Sequence, residues 1–186
     1  MQERNPTKPG AGTIRHLIVR RKPGETCRGI LAAGPFRIPC ALGRSGTTIG
    51  KREGDGATPV ATMALVELWH RGGRMARPKS RLAIRRIRPG VDGWCDAPDH
   101  PAYNRPVRLP FAASAETLAR EDRLYDVVIV LDYNYRRRAR GLGSAIFFHV
   151  AEPGHPPTAG CIAIAPADMR KLAPFLSGRT TITVKR

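Results

Sequence analysis

Residues 144–169, SAIFFHVAEPGHPPTAGCIAIAPADM, combine two apolar runs with a histidine and a cysteine. The runs, residues 145–148 and 162–165, are separated by a loop rich in proline and glycine. His149 ends the first run and Cys161 precedes the second. Short apolar runs between turn residues are typical of buried strands. We therefore expect the histidine and the cysteine to face each other across the loop that joins two strands.

A cysteine beside a histidine suits nucleophilic catalysis. The thiolate is the attacking form of cysteine, its free pKa is about 8.5, and a nearby imidazole favours the charged form. Gly160 lets the backbone turn sharply, and the amides of Gly160 and Cys161 can point at a developing oxyanion. We expect a backbone carbonyl to orient His149. The alternative interpretation is that Cys161 belongs to the core, since free cysteine is among the most buried residue types.

Two motifs carry a family resemblance. Residues 158–162, TAGCI, with His149 upstream at the end of an apolar strand, resemble the signature of the L,D-transpeptidase catalytic domain (YkuD-like) family. Residues 54–59, GDGATP, are similar to the Thr-Pro segment of the same family. The resemblance covers about residues 14–184, nearly the whole chain.

Four features depart from the family pattern. The loop between the histidine and the cysteine is shorter than in most members, and Val150 replaces a small residue. Ala159 stands where a second histidine is often found, and Ala163 stands where arginine or asparagine is common. The change at Ala163 removes a polar group close to the nucleophile.

The resemblance implies a mostly-β, single-domain, sandwich-like catalytic fold with one or two short helices. The catalytic domain is expected at residues 13–186, after a flexible lead at residues 1–12 whose polar, proline- and glycine-containing sequence is typical of a mobile terminus. A chain of 186 residues fits one domain.

The resemblance also implies a peptidoglycan L,D-transpeptidase. Cys161 is then the nucleophile, His149 the general base, and Gly160 part of the oxyanion site. The thiolate forms a thioacyl-enzyme with a tetrapeptide stem and passes the acyl group to an amine. The candidate substrate-binding residues are Thr158, Thr58, Asn104 and Tyr103. A thioester-route peptidoglycan hydrolase or amidase of the same fold remains an alternative.

The charge of the chain adds an alternative from another class. It has 32 lysines and arginines against 15 aspartates and glutamates, a formal net charge of +17. Such a charge favours anionic partners: an anionic wall polymer, an acidic membrane surface or nucleic acid. In a nucleic-acid-binding protein, Cys161 would be structural. The densest run, residues 136–140, has no interleaved aromatic residues. It therefore gives little support to single-strand stacking. A merely solvated basic face explains the composition equally well.

The remaining composition limits cofactors and location. The four cysteines have no CxxC or zinc-type spacing, so we expect no metal and no cofactor. We expect Cys27 and Cys40 either to form a disulfide or to be buried free thiols. No apolar run is long enough to span a membrane, and the N-terminus does not resemble a signal peptide. The family resemblance implies a location in the periplasm or cell envelope, and a cytoplasmic location remains an alternative. We expect the protein to be a monomer.

The hydrophobic pattern predicts nine strands and two helices. The strands are predicted at residues 16–20, 29–33, 36–42, 60–69, 82–87, 125–133, 144–150, 162–165 and 180–184. Ser114 is expected to cap a helix at residues 115–121. Pro166 is expected to begin a second helix at residues 166–176, which Pro174 should kink or end.

Overall fold

A computed structural model describes residues 12–186, so the lead predicted at residues 1–12 lies almost wholly outside the described part. Its strands begin with β1 His16–Arg21, β2 Arg28–Ala33, β3 Phe36–Ala41, β4 Thr47–Thr48, β5 Thr58–Pro59, β6 Thr62–His70 and β7 Ile84–Arg86. They continue with β8 Asp92–Cys95, β9 Arg105–Arg108, β10 Ala115–Thr117, β11 Val127–Leu131, β12 Phe147–Val150, β13 Ile162–Ile164 and β14 Thr181–Lys185. Every predicted strand is present.

The main sheet closes on itself. Its nine strands have the order β11-β12-β13-β3-β2-β1-β14-β6-β7, and β6 also pairs with β11. This last pairing joins the two ends of the order, so eight strands form a ring with β7 appended. Closure leaves no unpaired edge among these eight strands and encloses a core on the inner face of the ring. The predicted mostly-β, single-domain fold is confirmed.

The core follows from the strand patterns. Alternate residues of β1 are buried, among them Leu17 and Val19, whereas all five residues of β11 are buried. Alternation is typical of a strand with one buried face, and a continuous apolar run is typical of a strand buried on both. Because β11 lies between β6 and β12, the central position predicted for it is confirmed.

The helix at the C-terminal end is shorter than its periodicity suggests. The α-helix α1 covers Pro166–Leu172 and continues as one 3₁₀ turn, Ala173–Phe175. Met169 and Leu172 are its buried residues. Pro174 has no N–H to donate and its ring clashes with the preceding turn, so α-helical bonding cannot continue. The predicted effect of Pro174 is confirmed.

The prediction of a helix at residues 115–121 is wrong. Residues 115–117 form β10, which pairs with β8 so that Glu116 lies opposite Trp94. A helix of this length is marginal unless packing supports it. Pairing with β8 satisfies the hydrogen-bonding groups of the backbone, and it also allows Leu118 to be buried in the core. Strands β8, β9 and β10 form a second, three-stranded sheet.

No helix within residues 12–186 is long and apolar enough to cross a membrane.

Candidate active site

Strand register brings the histidine and the cysteine to one face. β12 and β13 run parallel, with His149 opposite Ala163. Side chains two positions apart on a strand lie on the same face, so Cys161, just before β13, shares the face of Ala163 and His149. Both side chains are nearly inaccessible, with 7% of Cys161 and 3% of His149 exposed. The small side chain of Ala163 leaves open space beside them.

Two threonines hold the turn that presents the cysteine. Thr158 Oγ1 donates to the carbonyl of Cys161 at 2.7 Å and accepts the Gly160 amide at 3.1 Å. Thr58 Oγ1 donates to the same carbonyl at 3.4 Å and accepts the Gly43 amide at 2.8 Å. Thr58 is fully buried. These contacts position the nucleophile, and a contact of either threonine with substrate stays a prediction.

Gly160 is required by the backbone at this turn. Its φ is +138°, a conformation that residues with a side chain rarely adopt. A Cβ at this position would also lie 2.9 Å from the carbonyl oxygen of Ala57. The turn therefore tolerates no side chain without moving Cys161.

We expect Gly160→Ala to lower acylation of Cys161 at least about tenfold and to destabilise the fold by about 1–3 kcal/mol, because strain and a backbone clash combine. Gly154→Ala is the matched control: its φ of +81° is also left-handed, but open space surrounds its added Cβ. Denaturant unfolding and the rate of covalent labelling measure the two effects. Equal losses in the two variants would contradict a special role for Gly160.

The sulfur is held by backbone groups. Cys161 Sγ donates to the Ala145 carbonyl at 3.2 Å, and the Phe147 amide approaches Sγ at 3.4 Å. Asn104 holds Ala145 in turn, because its Oδ1 accepts the Ala145 amide at 3.1 Å and the Trp94 indole N–H at 3.0 Å. Asn104 thus supports the nucleophile from behind, and its contact with substrate stays a prediction.

Tyr103 is buried next to Asn104, and its hydroxyl donates to the carboxylate of Glu53. Glu53 lies on the loop that also carries Lys51 and Asp55. The ammonium of Lys51 is buried, pairs with Asp55 and donates to the Arg52 carbonyl at 3.0 Å. Its charge acts to lower the pKa of Cys161, although desolvation outweighs it. Substrate binding by Tyr103 likewise stays a prediction.

Burial sets the protonation states of Cys161 and His149. Desolvation raises the pKa of the Cys161 thiol to about 12 and lowers the pKa of His149 to about 4. Near neutral pH both groups are therefore uncharged, a thiol and a neutral imidazole. His149 Nδ1 lies 2.8 Å from the Val150 carbonyl, which favours the tautomer with its proton on Nδ1, and the Leu124 carbonyl also acts on the ring to raise its pKa against the effect of burial. The expected orientation of the histidine by a backbone carbonyl is confirmed.

The lowered pKa of His149 predicts a pH-dependent stability. As pH falls from about 6.5 to about 4, the unfolded chain protonates this histidine before the folded protein does, so unfolding becomes more favourable. The change is at most about 3 kcal/mol. In His149→Gln the unfolding free energy should fall less over this range than in the wild type. His16→Gln, at an exposed histidine on β1, is the control. Identical pH profiles for all three proteins would contradict the burial effect.

Sequence reasoning missed three residues that lie beside the pair. The Tyr125 hydroxyl donates to Glu116 Oε1 at 2.7 Å, and the Tyr125 ring packs edge-on against His149 with centroids 5.3 Å apart. Arg120 contacts the same Glu116 oxygen at 3.4 Å and pairs with Asp122 at 2.6 Å. Glu116 and Arg120 lie in the segment predicted as a helix at residues 115–121, so neither was considered a site residue. Only the pairing of β10 with β8 turns Glu116 toward the cysteine.

Two cavities meet at Cys161. The histidine-side cavity, about 240 Å³, is bordered by His149, Arg120, Thr158 and Ala163. The lysine-side cavity, about 320 Å³, is bordered by residues that include Arg44, Lys51, Asp96, Ser144 and Ala145. Four residues border both cavities: Cys161, Glu116, Tyr125 and Ala159. A further cavity of about 420 Å³ lies elsewhere, between residues 75–79 and α1.

The four cysteines differ in their surroundings. All are free, which confirms free thiols rather than a disulfide between Cys27 and Cys40. Burial raises the pKa of Cys40 to about 12, as it does for Cys161. Cys40, however, borders a separate small cavity that contains neither His149 nor Glu116. Cys40 borders that cavity together with His155 from the loop before Cys161, whereas Cys161 shares a sheet face with His149 through the register of β12 and β13.

The comparison with known families decides the identity of the domain. Residues 32–184 match the YkuD family, the L,D-transpeptidase catalytic domain. The chain belongs to this family. The match covers most of the chain and includes the Thr-Pro segment, His149 and the Cys161 turn. No curated protein and no solved structure matched the chain. Membership of the YkuD family supports a peptidoglycan-modifying enzyme of the transpeptidase type and an envelope setting.

Proposed function

We propose that this YkuD domain is a cysteine-dependent L,D-transpeptidase that acylates Cys161 with a peptidoglycan tetrapeptide stem and transfers the acyl group to an amine. The observation that carries the proposal is the position of Cys161 at the junction of two cavities, with His149 on the same sheet face. One cavity can hold the donor while the other admits the acceptor. Family membership supplies the substrate class.

The resting charges define the first step. Cys161 is a thiol and His149 a neutral imidazole, so the proton moves when the sulfur attacks and not before. Sγ forms a bond to the donor carbonyl carbon while its proton passes to Nε2 of His149. The imidazolium then protonates the leaving amine as the carbon–nitrogen bond breaks. The products are a thioester on Cys161 and a released terminal D-residue.

Backbone amides stabilise the tetrahedral oxyanion in this mechanism. The Gly160 amide is bonded to Thr158 in the free protein, so it becomes available only if that bond is exchanged. The Cys161 amide is therefore the first candidate donor. A well-placed donor of this kind is typically worth about 3–4 kcal/mol of transition-state stabilisation. Gly160 contributes by keeping the turn free of a side chain.

The second step determines whether the enzyme transfers or hydrolyses. An amine that attacks the thioester gives a cross-link, whereas water gives a carboxylate, the outcome expected of the hydrolase or amidase alternative. The second cavity bordering Cys161 favours transfer, because hydrolysis has no need of an acceptor cavity. Contact of the domain with an anionic wall polymer is a further part of the proposal, supported by the net charge of +17.

The test uses purified tetrapeptide muropeptides as both donor and acceptor. We expect intact-mass analysis to show one stem added, less its terminal D-residue, on the tryptic peptide that contains Cys161. Chromatography of the products should show cross-linked dimers in excess of tripeptides. Tripeptides alone would favour the hydrolase. Absence of any adduct on the folded protein would overturn the thioacyl mechanism.

A further inference from the structure

We propose that Glu116 binds the ammonium group of the acyl acceptor and takes up its proton, so that the thioester on Cys161 reacts with an amine in preference to water. The inference rests on the proposed function, since it concerns the second step of that reaction. It assigns a catalytic role to a residue outside the Cys161–His149 motif.

Glu116 is held in a fixed position beside the nucleophile. It borders both cavities together with Cys161 and Tyr125. The Tyr125 hydroxyl and the Arg120 guanidinium both contact its Oε1. Within residues 12–186 no hydrogen bond reaches its Oε2, and 25% of the side chain is exposed. One carboxylate oxygen is therefore anchored and the other is open to a ligand.

Asp96 adds a second carboxylate to the lysine-side cavity. It follows β8 directly, and its amide donates to the Ser114 carbonyl just before β10. Its Oδ1 is buried and has no hydrogen-bond partner within residues 12–186. A buried carboxylate oxygen without a partner is costly, and the negative charge of Asp96 beside the cavity favours a cation there. Asp96 and Glu116 thus point to a cationic ligand in this cavity.

The cationic side chains of the same cavity favour an acceptor that carries a carboxylate next to its ammonium group. Lys51 is paired with Asp55 and is nearly inaccessible, whereas Arg44 is exposed. Arg44 can therefore receive an anion while Glu116 and Asp96 receive the ammonium. This combination of charges fits an α-amino-acid centre, which carries both groups on adjacent atoms.

The chemistry balances without any further reactant. The ammonium of the acceptor gives one proton to Glu116 Oε2, and the lone pair that is freed attacks the thioester carbonyl carbon. His149 takes a second proton from the attacking nitrogen. As the carbon–sulfur bond breaks, His149 returns that proton to the sulfur, leaving an amide, the Cys161 thiol and a protonated Glu116. Glu116 then loses its proton to solvent.

The surroundings of Glu116 suit a base. Burial raises the pKa of Glu116, and the charges of Asp96 and Asp122 act in the same direction, while Tyr125 and Arg120 oppose them. A carboxylate with a raised pKa takes a proton from an ammonium more readily than an ordinary surface carboxylate does. The geometry carries the proposal, and this shift supports it.

The experiment measures how the acyl-enzyme partitions. Wild type, Glu116→Gln, Asp96→Asn and Glu121→Gln are acylated with tetrapeptide muropeptide in the presence of isotopically labelled D-alanine or hydroxylamine, and the labelled aminolysis product and the hydrolysis product are quantified by mass spectrometry. Both products come from the same acyl-enzyme, so changes in the acylation rate cancel from their ratio. Glu121 is exposed and serves as the matched control.

We expect Glu116→Gln to lower the ratio of aminolysis to hydrolysis with D-alanine by about tenfold or more, and Asp96→Asn to lower it by a smaller factor. Hydroxylamine is mostly uncharged at neutral pH and needs no base, so its ratio should change little. An unchanged D-alanine ratio in Glu116→Gln, with the adduct still formed, would overturn this inference and leave the proposed function standing. If Glu116→Gln does not fold, an unchanged ratio in Asp96→Asn would overturn it. Absence of an adduct in the wild type would overturn both the proposed function and this inference.

Discussion

Cys161→Ala should abolish covalent labelling by a carbapenem. Cys161 borders both cavities, and under the proposed function it is the nucleophile that the β-lactam carbonyl should acylate. Intact-mass analysis should show one adduct on the wild type and none on the variant. Alanine removes only the sulfur from a buried position, so the variant should remain folded and the loss should reflect chemistry.

Cys40→Ala provides the matched control. Cys40 is equally a buried free thiol whose pKa is raised to about 12, yet it borders a different cavity. Labelling of Cys40→Ala should equal that of the wild type. An adduct that persists in Cys161→Ala would instead show that labelling does not depend on the proposed nucleophile, and it would favour the alternative that Cys161 is a core residue.

His149→Gln should lower the rate of acylation by about 10²–10⁴-fold, because the thiol then has no positioned base to take its proton. The raised pKa of Cys161, about 12, makes this loss larger than it would be for a preformed thiolate. Glutamine is polar and close to histidine in volume, so the backbone around β12 should be preserved. Stopped-flow measurement of carbapenem acylation tests the prediction.

The protonation states of Cys161 and His149 predict an unusual dependence of the acylation rate on pH. Because the pKa of His149 is lowered to about 4, the imidazole stays basic as pH falls through 6.5, and acylation should decline only near pH 4. A preformed thiolate–imidazolium pair would instead lose activity as its thiolate became protonated. Acylation by Cys161 that survives intact in His149→Gln would contradict the role of His149 as base.

Most of the main sheet could be predicted from local patterns. The apolar runs that became β11, β12 and β13 are bounded by turn residues, and the resemblance around Cys161 placed the histidine and cysteine together. The small sheet of β8, β9 and β10 was missed. Its segments are short, contain proline and charged residues, and acquire strand geometry only by pairing with one another.

The misread segment explains why part of the site was missed. Residues 115–121 contain a good N-cap and a Glu116–Arg120 spacing that also suits a helix face. In the fold, pairing with β8 overrides that local preference and directs Glu116 to Cys161 and Tyr125. Such pairing depends on residues distant in sequence, so no pattern within the segment itself could reveal it.

The sequence by itself determined the strand pattern of the main sheet and the family, and it predicted Cys161 and His149 as the proposed nucleophile and base, because these depend on residue types at short spacing. Only the tertiary structure decided that Cys161 is a thiol, that His149 is neutral and that Glu116 borders both cavities. The physical reason is that desolvation and the meeting of side chains depend on how the closed sheet and the small sheet surround the site. Those surroundings come from β8, β10, β11 and β12, which are separated along the chain and come together only on folding.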